Sequence, residues 1–157
     1  NDYFAVAVPA VVLRGGDVDR IIGDALMVTF NRRGDQPDHA ERAVRAALEL
    51  QEATARVAAG HSDWPRFRVG VNTGPISVGL LGTHGARTHT VIGDTVNTAS
   101  RIEGPAPAGG VAVGAATLAA VPGARTTPVG TLRLKGRTEP VEVHLVLSLE
   151  PDPSTPA

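Results

Sequence analysis

Pairs of β-prone runs alternate with helical stretches along this chain, and their order limits the fold more than any other feature. The first pair is joined by Gly23-Asp24, a tight-hairpin signal because Gly readily supplies the positive φ that such a turn requires. In the later pairs, apolar side chains alternate with polar or small ones, as in a half-buried strand. The predicted strand pairs are residues 18–22 with 25–30, 67–71 with 76–80, and 132–135 with 141–145, with a short further run at 90–92.

Apolar residues recur at helical spacing between the strand pairs. The clearest helix follows Asp38, with Glu41 three residues later as a variant of the capping box. Asp94 is expected to cap a shorter helix. The predicted helices cover residues 2–13, 38–59, 95–102 and 115–120. This order predicts an α+β fold with helices over a mostly antiparallel sheet, nearest to the ferredoxin-like fold but with its opening strand missing.

Composition indicates one globular domain. The chain has 157 residues, of which 42% are hydrophobic and 20% are charged, ordinary values for a globular fold. We expect a single domain over residues 1–148 and a Pro-rich tail or linker over residues 149–157. No apolar run reaches the roughly 20 residues that cross a bilayer, so membrane contact is expected only through domains that this sequence does not contain.

Charge and cysteine content exclude several functions. Lys and Arg number 15 and Asp and Glu 16, and the net charge of −1 provides no field for binding nucleic acid. The absence of cysteine excludes disulfides, thiol catalysis and thiolate metal sites, and it fits a reducing compartment. The 5 histidines lack ligand spacing, which disfavours zinc.

A small set of polar residues lies where the fold pattern alone does not require them. They are Arg20, Asp24, Thr90, Asn97, Arg101 and Lys135. Asp24 lies at the predicted hairpin tip, and Asn97 and Arg101 share one helix face because they are four residues apart. A carboxylate with separate Arg and Lys donors suits a polyphosphate bound with Mg²⁺, which prefers oxygen ligands. Each residue also has a structural explanation, since Asp is common in turns and exposed helix faces are usually solvated.

Five stretches of the chain, taken together, resemble the catalytic domain of class III adenylate/guanylate cyclases. They occur in the family's order, at residues 15–30, 38–51, 68–82, 88–104 and 132–146. The resemblance implies a ferredoxin-like domain that works as a head-to-tail homodimer with nucleotide sites between protomers. It implies conversion of a nucleoside triphosphate to its 3′,5′-cyclic monophosphate and pyrophosphate, with two Mg²⁺ or Mn²⁺ ions per site. The absence of cysteine and the availability of ATP together lead us to expect the domain in the cytoplasm.

The resemblance assigns a role to each matching position. Asp24 matches the second metal-binding Asp, and Lys135 matches the Lys that holds the triphosphate. Asn97 matches the residue that orients the ribose, and Arg101 the one that stabilises the α-phosphate in the transition state. In the family, the carboxylates come from one protomer and these donors from the other. The excursion at 82–89 resembles the arm that reaches the partner.

Two departures from the family pattern bear on activity and on substrate choice. The family's first metal-binding Asp precedes the first helix, and no residue before Tyr3 matches it, so we expect that segment to lie upstream of Asn1. Adenylate cyclases usually carry Lys at the base-recognition position that Arg20 occupies here, and Asp or sometimes Thr at the position that Thr90 occupies. ATP is favoured over GTP because bacterial-looking members mostly make cyclic AMP, not because of these two residues.

Two other functions are weighed against an adenylate cyclase. A catalytically degenerate cyclase-like domain that senses nucleotide or mediates dimerisation is favoured by the atypical Arg20 and the missing first Asp. A diguanylate cyclase is suggested by Gly15-Gly16-Asp17, but these residues precede the hairpin strand instead of forming its tip.

Overall fold

The computed structural model describes residues 2–22, 25–61, 64–81, 88–134 and 139–151. Within them, helices and strands alternate in the order of an α+β domain. The helices are α1 (Asp2–Leu13), α2 (His39–Ala58), α3 (Asp94–Glu103) and α4 (Ala115–Ala120). The strands are β1 (Asp17–Ile22), β2 (Ala25–Thr29), β3 (Val69–Val71), β4 (Ser77–Leu81), β5 (Thr88–Ile92), β6 (Val111–Val113), β7 (Ala124–Leu132) and β8 (Val141–Leu149). The predicted α+β class is confirmed.

The strands form a central four-stranded sheet and two separate hairpins. The central sheet has the order β3-β6-β8-β7, in which β3 runs parallel to β6 and the other neighbours are antiparallel. Strands β1 and β2 pair antiparallel with Ile22 opposite Ala25, as expected for a link of two residues. The predicted pairing of 67–71 with 76–80 is wrong, because β3 pairs with β6 in the central sheet while β4 pairs antiparallel with β5. The prediction of a mostly antiparallel arrangement is confirmed.

The helices bury their apolar faces in separate clusters. Helix α2 packs Val44 and Ala47 against strand β6 on one side. It packs Ala46 and Leu50 against helix α1 on the other. Helix α3 buries Ile102 completely, in a cluster with residues of β6 and β8. Helix α3 is therefore packed directly against strands β6 and β8 of the central sheet.

The final hairpin begins earlier than its apolar alternation predicts. Strand β7 ends at Leu132, so the predicted strand at 132–135 is wrong, and Leu134 is buried just beyond the strand. The actual strand contains Pro128, which has no N–H for a ladder and lies beside a register shift on the sheet edge. An edge position tolerates such a residue, and pairing with β8 therefore outweighs the local pattern.

Both predicted helix caps differ in the structure. Asp38 precedes α2 but makes no capping bond, and its Oδ1 instead accepts a hydrogen bond from Arg42 Nε at 2.7 Å. Helix α3 begins at Asp94 itself, and the residue before it is Gly93 with a φ of 129°. A backbone turn in the left-handed region thus starts α3 where a side-chain cap was expected. Among the described residues, no helix is both long and apolar enough to cross a membrane.

Candidate active site

Helix α3 presents two of the predicted site residues on its exposed side. Asn97 and Arg101 are both exposed, whereas Thr98 and Ile102, each one position further along, are buried. The predicted common face is therefore confirmed. Asn97 and Arg101 are about 6 Å apart along the helix axis, because each residue rises about 1.5 Å.

The backbone of β3 holds α3 at very short range. A Cβ built on Gly70 would collide with the carbonyl oxygen of Ala99 and would lie 2.7 Å from the backbone nitrogen of Glu103. Asn72 at the end of β3 donates from Nδ2 to the carbonyl oxygen of Thr95 at 3.0 Å. Gly70 and Asn72 thus position the helix that carries Asn97 and Arg101. Sequence reasoning did not assign them this role, although both lie in the stretch at 68–82.

Arg101 also contacts the chain that follows β7. Its Nη2 donates to the carbonyl oxygen of Arg133 at 2.7 Å. Lys135, predicted to hold the triphosphate, lies two residues further along but outside the described residues. The bond brings the α3 arginine to the segment that leads into Lys135.

Arg20 lies on β1, opposite Met27 of β2. Its Nε donates to Oδ2 of Asp19 at 3.0 Å, and 36% of its side chain is exposed. Thr90 lies on β5 opposite Gly79, with its side chain outside what the structure describes. The structure thus gives side-chain contacts for Arg20 and Arg101 and the exposure of Asn97.

The residue expected to bind metal and most of the expected partner-reaching arm lie outside the described residues. These are Asp24 and residues 82–87, respectively. Within the part of the chain that the structure describes, no three His, Asp or Glu side chains are grouped as metal ligands would be. The side chains of the predicted site that the structure describes are therefore Arg20, Asn97 and Arg101.

Comparison with known proteins identifies the family of this chain. The family model described as the adenylate and guanylate cyclase catalytic domain matches residues 17–148. Adenylate cyclase 1 of Rhizobium meliloti (strain 1021) is 31% identical over 157 residues, covering 95% of this chain and 24% of that protein. The chain thus spans about a quarter of the length of this curated relative.

Solved structures with the same fold include both a guanylyl cyclase and an adenylyl cyclase. The guanylyl cyclase Cya2 superposes with a TM-score of 0.83 at 30% identity, covering 97% of this chain and 79% of that one. The adenylyl cyclase CyaB from P. aeruginosa gives a TM-score of 0.81 at 26% identity, covering 94% and 80%. The ferredoxin-like cyclase fold is therefore confirmed. With the family model covering most of its length, this chain belongs to the adenylate and guanylate cyclase catalytic domain family.

Proposed function

We propose that this domain is the catalytic unit of a nucleotidyl cyclase that converts ATP, in preference to GTP, into 3′,5′-cyclic AMP and pyrophosphate. The observation that carries the proposal is the exposed face of α3, where Asn97 and Arg101 lie one turn apart and Arg101 bonds the segment before Lys135. Two donor groups of the kind that a nucleoside triphosphate needs thus lie on one exposed helix face, and one of them contacts the backbone two residues before Lys135 in sequence. We place the domain in the cytoplasm, where its substrate is available.

The reaction transfers the α-phosphorus within one molecule. The ribose 3′-oxygen loses its proton and forms a bond to the α-phosphorus, while the bond from that phosphorus to the bridging oxygen breaks and pyrophosphate leaves. Asn97 and Arg101 lie about 6 Å apart along one face of the helix, so both can contact the same nucleotide. Asn97 then orients the ribose while Arg101 neutralises charge that grows on the α-phosphate oxygens, an interaction strongest in the transition state.

The bond to Arg133 supports this role for Arg101. A guanidinium carries several N–H donors in a rigid plane, so one donor can hold the Arg133 carbonyl while others bind phosphate. The bond also reduces the motion of a long exposed side chain before substrate arrives. Arg101 is thus held in advance near the position at which charge develops.

The remaining parts of the proposal concern the cations, the base and the dimer. Asp24 would ligate Mg²⁺ or Mn²⁺ together with the triphosphate oxygens, hard ligands that suit these ions. When bound, such cations offset phosphate charge and activate the attacking oxygen. Arg20 and Thr90 would contact the base. The active form would be a head-to-tail homodimer in which Asp24 of one protomer and the α3 donors of the other serve one nucleotide.

The test is turnover by the full-length protein with ATP and with GTP in the presence of Mn²⁺. We expect Arg101→Ala to lower kcat by about 10²–10³-fold while nucleotide affinity stays within about threefold, because the lost interaction belongs to the transition state. Arg125→Ala is the matched control, since it removes another exposed arginine at the opposite end of β7 and should leave kcat unchanged.

Two results would contradict the proposal in different ways. Nucleotide binding without any cyclic product would favour a degenerate nucleotide-sensing or dimerisation module. Equal losses of affinity and kcat/KM in Arg101→Ala, with kcat intact, would show that Arg101 binds substrate and does not act on the transition state.

A further inference from the structure

A β-bulge in β1 places two adjacent charged side chains together. Val18 pairs with Val28 and Arg20 pairs with Met27, so Asp19 is an extra residue without a partner of its own across the hairpin. In a regular strand, adjacent side chains point to opposite faces. Here the carboxylate of Asp19 reaches the guanidinium of Arg20, with 3.0 Å between Oδ2 and Nε. Bulges redirect side chains in this way and are common beside active sites.

The Asp19 carboxylate is buried between two arginines. Only 1% of its side chain is exposed, and its Oδ1 lies 3.6 Å from Nη1 of Arg32. That distance is too long for a hydrogen bond, and Oδ1 is buried without one to any described residue. Burying a carboxylate is unfavourable unless it is paired, and such pairs contribute little net stability. A role in orienting a neighbouring group accounts for the charge better than stability does.

We propose that Asp19 is a positioning residue that fixes the direction of Arg20 for recognition of the nucleobase; this inference rests on the proposed cyclase function. The Asp19 carboxylate is buried, whereas 36% of the Arg20 side chain is exposed. A guanidinium is planar, so holding its Nε in one direction also sets the directions of its other nitrogens. An arginine ordered beforehand loses less conformational entropy when it binds a ligand.

The hydrogen-bonding chemistry of Arg20 determines which nucleobase the Asp19–Arg20 pair favours. A guanidinium only donates, so it needs an acceptor on the base, such as N1 of adenine or O6 of guanine. These acceptors lie at different places on the two rings. An arginine in one fixed direction favours one of them, whereas a mobile arginine would serve both. Removing the anchor should therefore move the ratio between ATP and GTP towards unity, whichever nucleotide the native protein prefers.

The experiment compares Asp19→Asn with the native protein. Asn has nearly the volume of Asp but lacks the charge that holds Arg20. We expect the ATP-to-GTP ratio, measured both as Kd by calorimetry and as kcat/KM, to move two- to tenfold towards unity, about the effect of ordering one long side chain. Asp17→Asn on the same strand is the matched control and should leave the ratio unchanged.

A double-mutant cycle shows whether Asp19 acts through Arg20. In an Arg20→Ala background, Asp19→Asn should change the ratio no further. A further change there, or an unchanged ratio in Asp19→Asn alone with a lower melting temperature, would overturn the inference and leave a structural ion pair. If Asp19→Asn does not fold, Asp19→Glu keeps the charge but displaces it, and an unchanged ratio in that variant would equally overturn the inference.

The binding measurement separates this inference from the proposed function. If the native protein binds nucleotide but releases no cyclic product, the cyclase proposal fails while the Kd ratio still tests Asp19. If it binds neither ATP nor GTP, both proposals fail.

Discussion

Helix α3 is held by apolar packing and close backbone contact, whereas the β1–β2 hairpin holds its arginine through buried charge. On the α3 side, Ile102 is fully buried and Gly70 lets two backbones meet. On the hairpin side, Asp19 lies between Arg20 and Arg32, and the hairpin forms a sheet of its own in the described part of the chain. The groups proposed for the reaction and for base recognition are thus positioned by different forces.

Substitutions should therefore affect the reaction groups on α3 and the base-recognition hairpin differently. Apolar packing and backbone contact are not screened by salt as charge interactions are, and they resist any substitution that alters volume. An ion pair, by contrast, can be altered by substituting one side chain without moving the backbone. We infer that the reaction groups on α3 tolerate little variation, while the hairpin can adjust nucleotide preference without disturbing them.

The largest effect is expected where α3 meets β3. Gly70→Ala introduces a Cβ that would collide with Ala99 O and lie 2.7 Å from Glu103 N, both backbone atoms, so α3 must shift. Such overpacking costs about 1–3 kcal/mol of unfolding free energy. A displacement of about 1 Å at Arg101 would lower turnover by about 10²-fold. Urea unfolding and cyclase assays measure the two effects.

The control for this variant lies at the end of the same helix. Gly104 has a helical φ of −53°, and a Cβ there would meet Arg101 O at 3.3 Å. Gly104→Ala should stay within about 0.5 kcal/mol of the native protein, as most surface substitutions do. Equal turnover losses in both variants would contradict the claim that close contact with β3 positions α3.

The sequence predicts most of the fold because most elements have a periodic pattern. Helix α2 and the α4 segment were predicted nearly to the residue. Strand β6 was missed because Val111–Val113 is three buried residues, too short to show a period. The strand predicted at 132–135 lies too far along the chain because Leu132 and Leu134 have the apolar alternation of a strand. The observed strand β7 is set by its pairing with β8.

Sequence predicts the candidate site as a set of residue types, but not how they are held. The common face of Asn97 and Arg101 follows from helical spacing alone. The bond from Arg101 to the Arg133 carbonyl joins residues 32 positions apart, and no local pattern encodes it. The β1 bulge likewise depends on the register of two strands, so a buried Asp19 beside Arg20 is invisible in the sequence.

A smaller effect is expected from Arg32, the second cation beside Asp19, which lies just beyond the end of β2. Arg32→Gln removes the charge 3.6 Å from Asp19 Oδ1 but leaves the bond from Arg20, so we expect a loss of about 1 kcal/mol in unfolding free energy. Arg33→Gln is the control, since Arg33 is exposed and adjacent in sequence. A loss no greater in Arg32→Gln than in Arg33→Gln would show that Arg32 does not stabilise the buried carboxylate.

The smallest effect is expected from a partly exposed ion pair on α2, which sets the scale for the buried one. Glu41 accepts a hydrogen bond from Arg45 Nη2 at 2.9 Å across one helical turn, and 45% of the Glu41 side chain is exposed. Glu41→Gln should cost about 0.3–0.5 kcal/mol at low salt. In about 1 M salt the screening length falls to about 3 Å, which removes most of that cost. The Arg32→Gln loss should persist because Asp19 is shielded from solvent. If salt removed both losses equally, the hairpin charges would behave as surface charges, and the contrast with α3 would reduce to exposure alone.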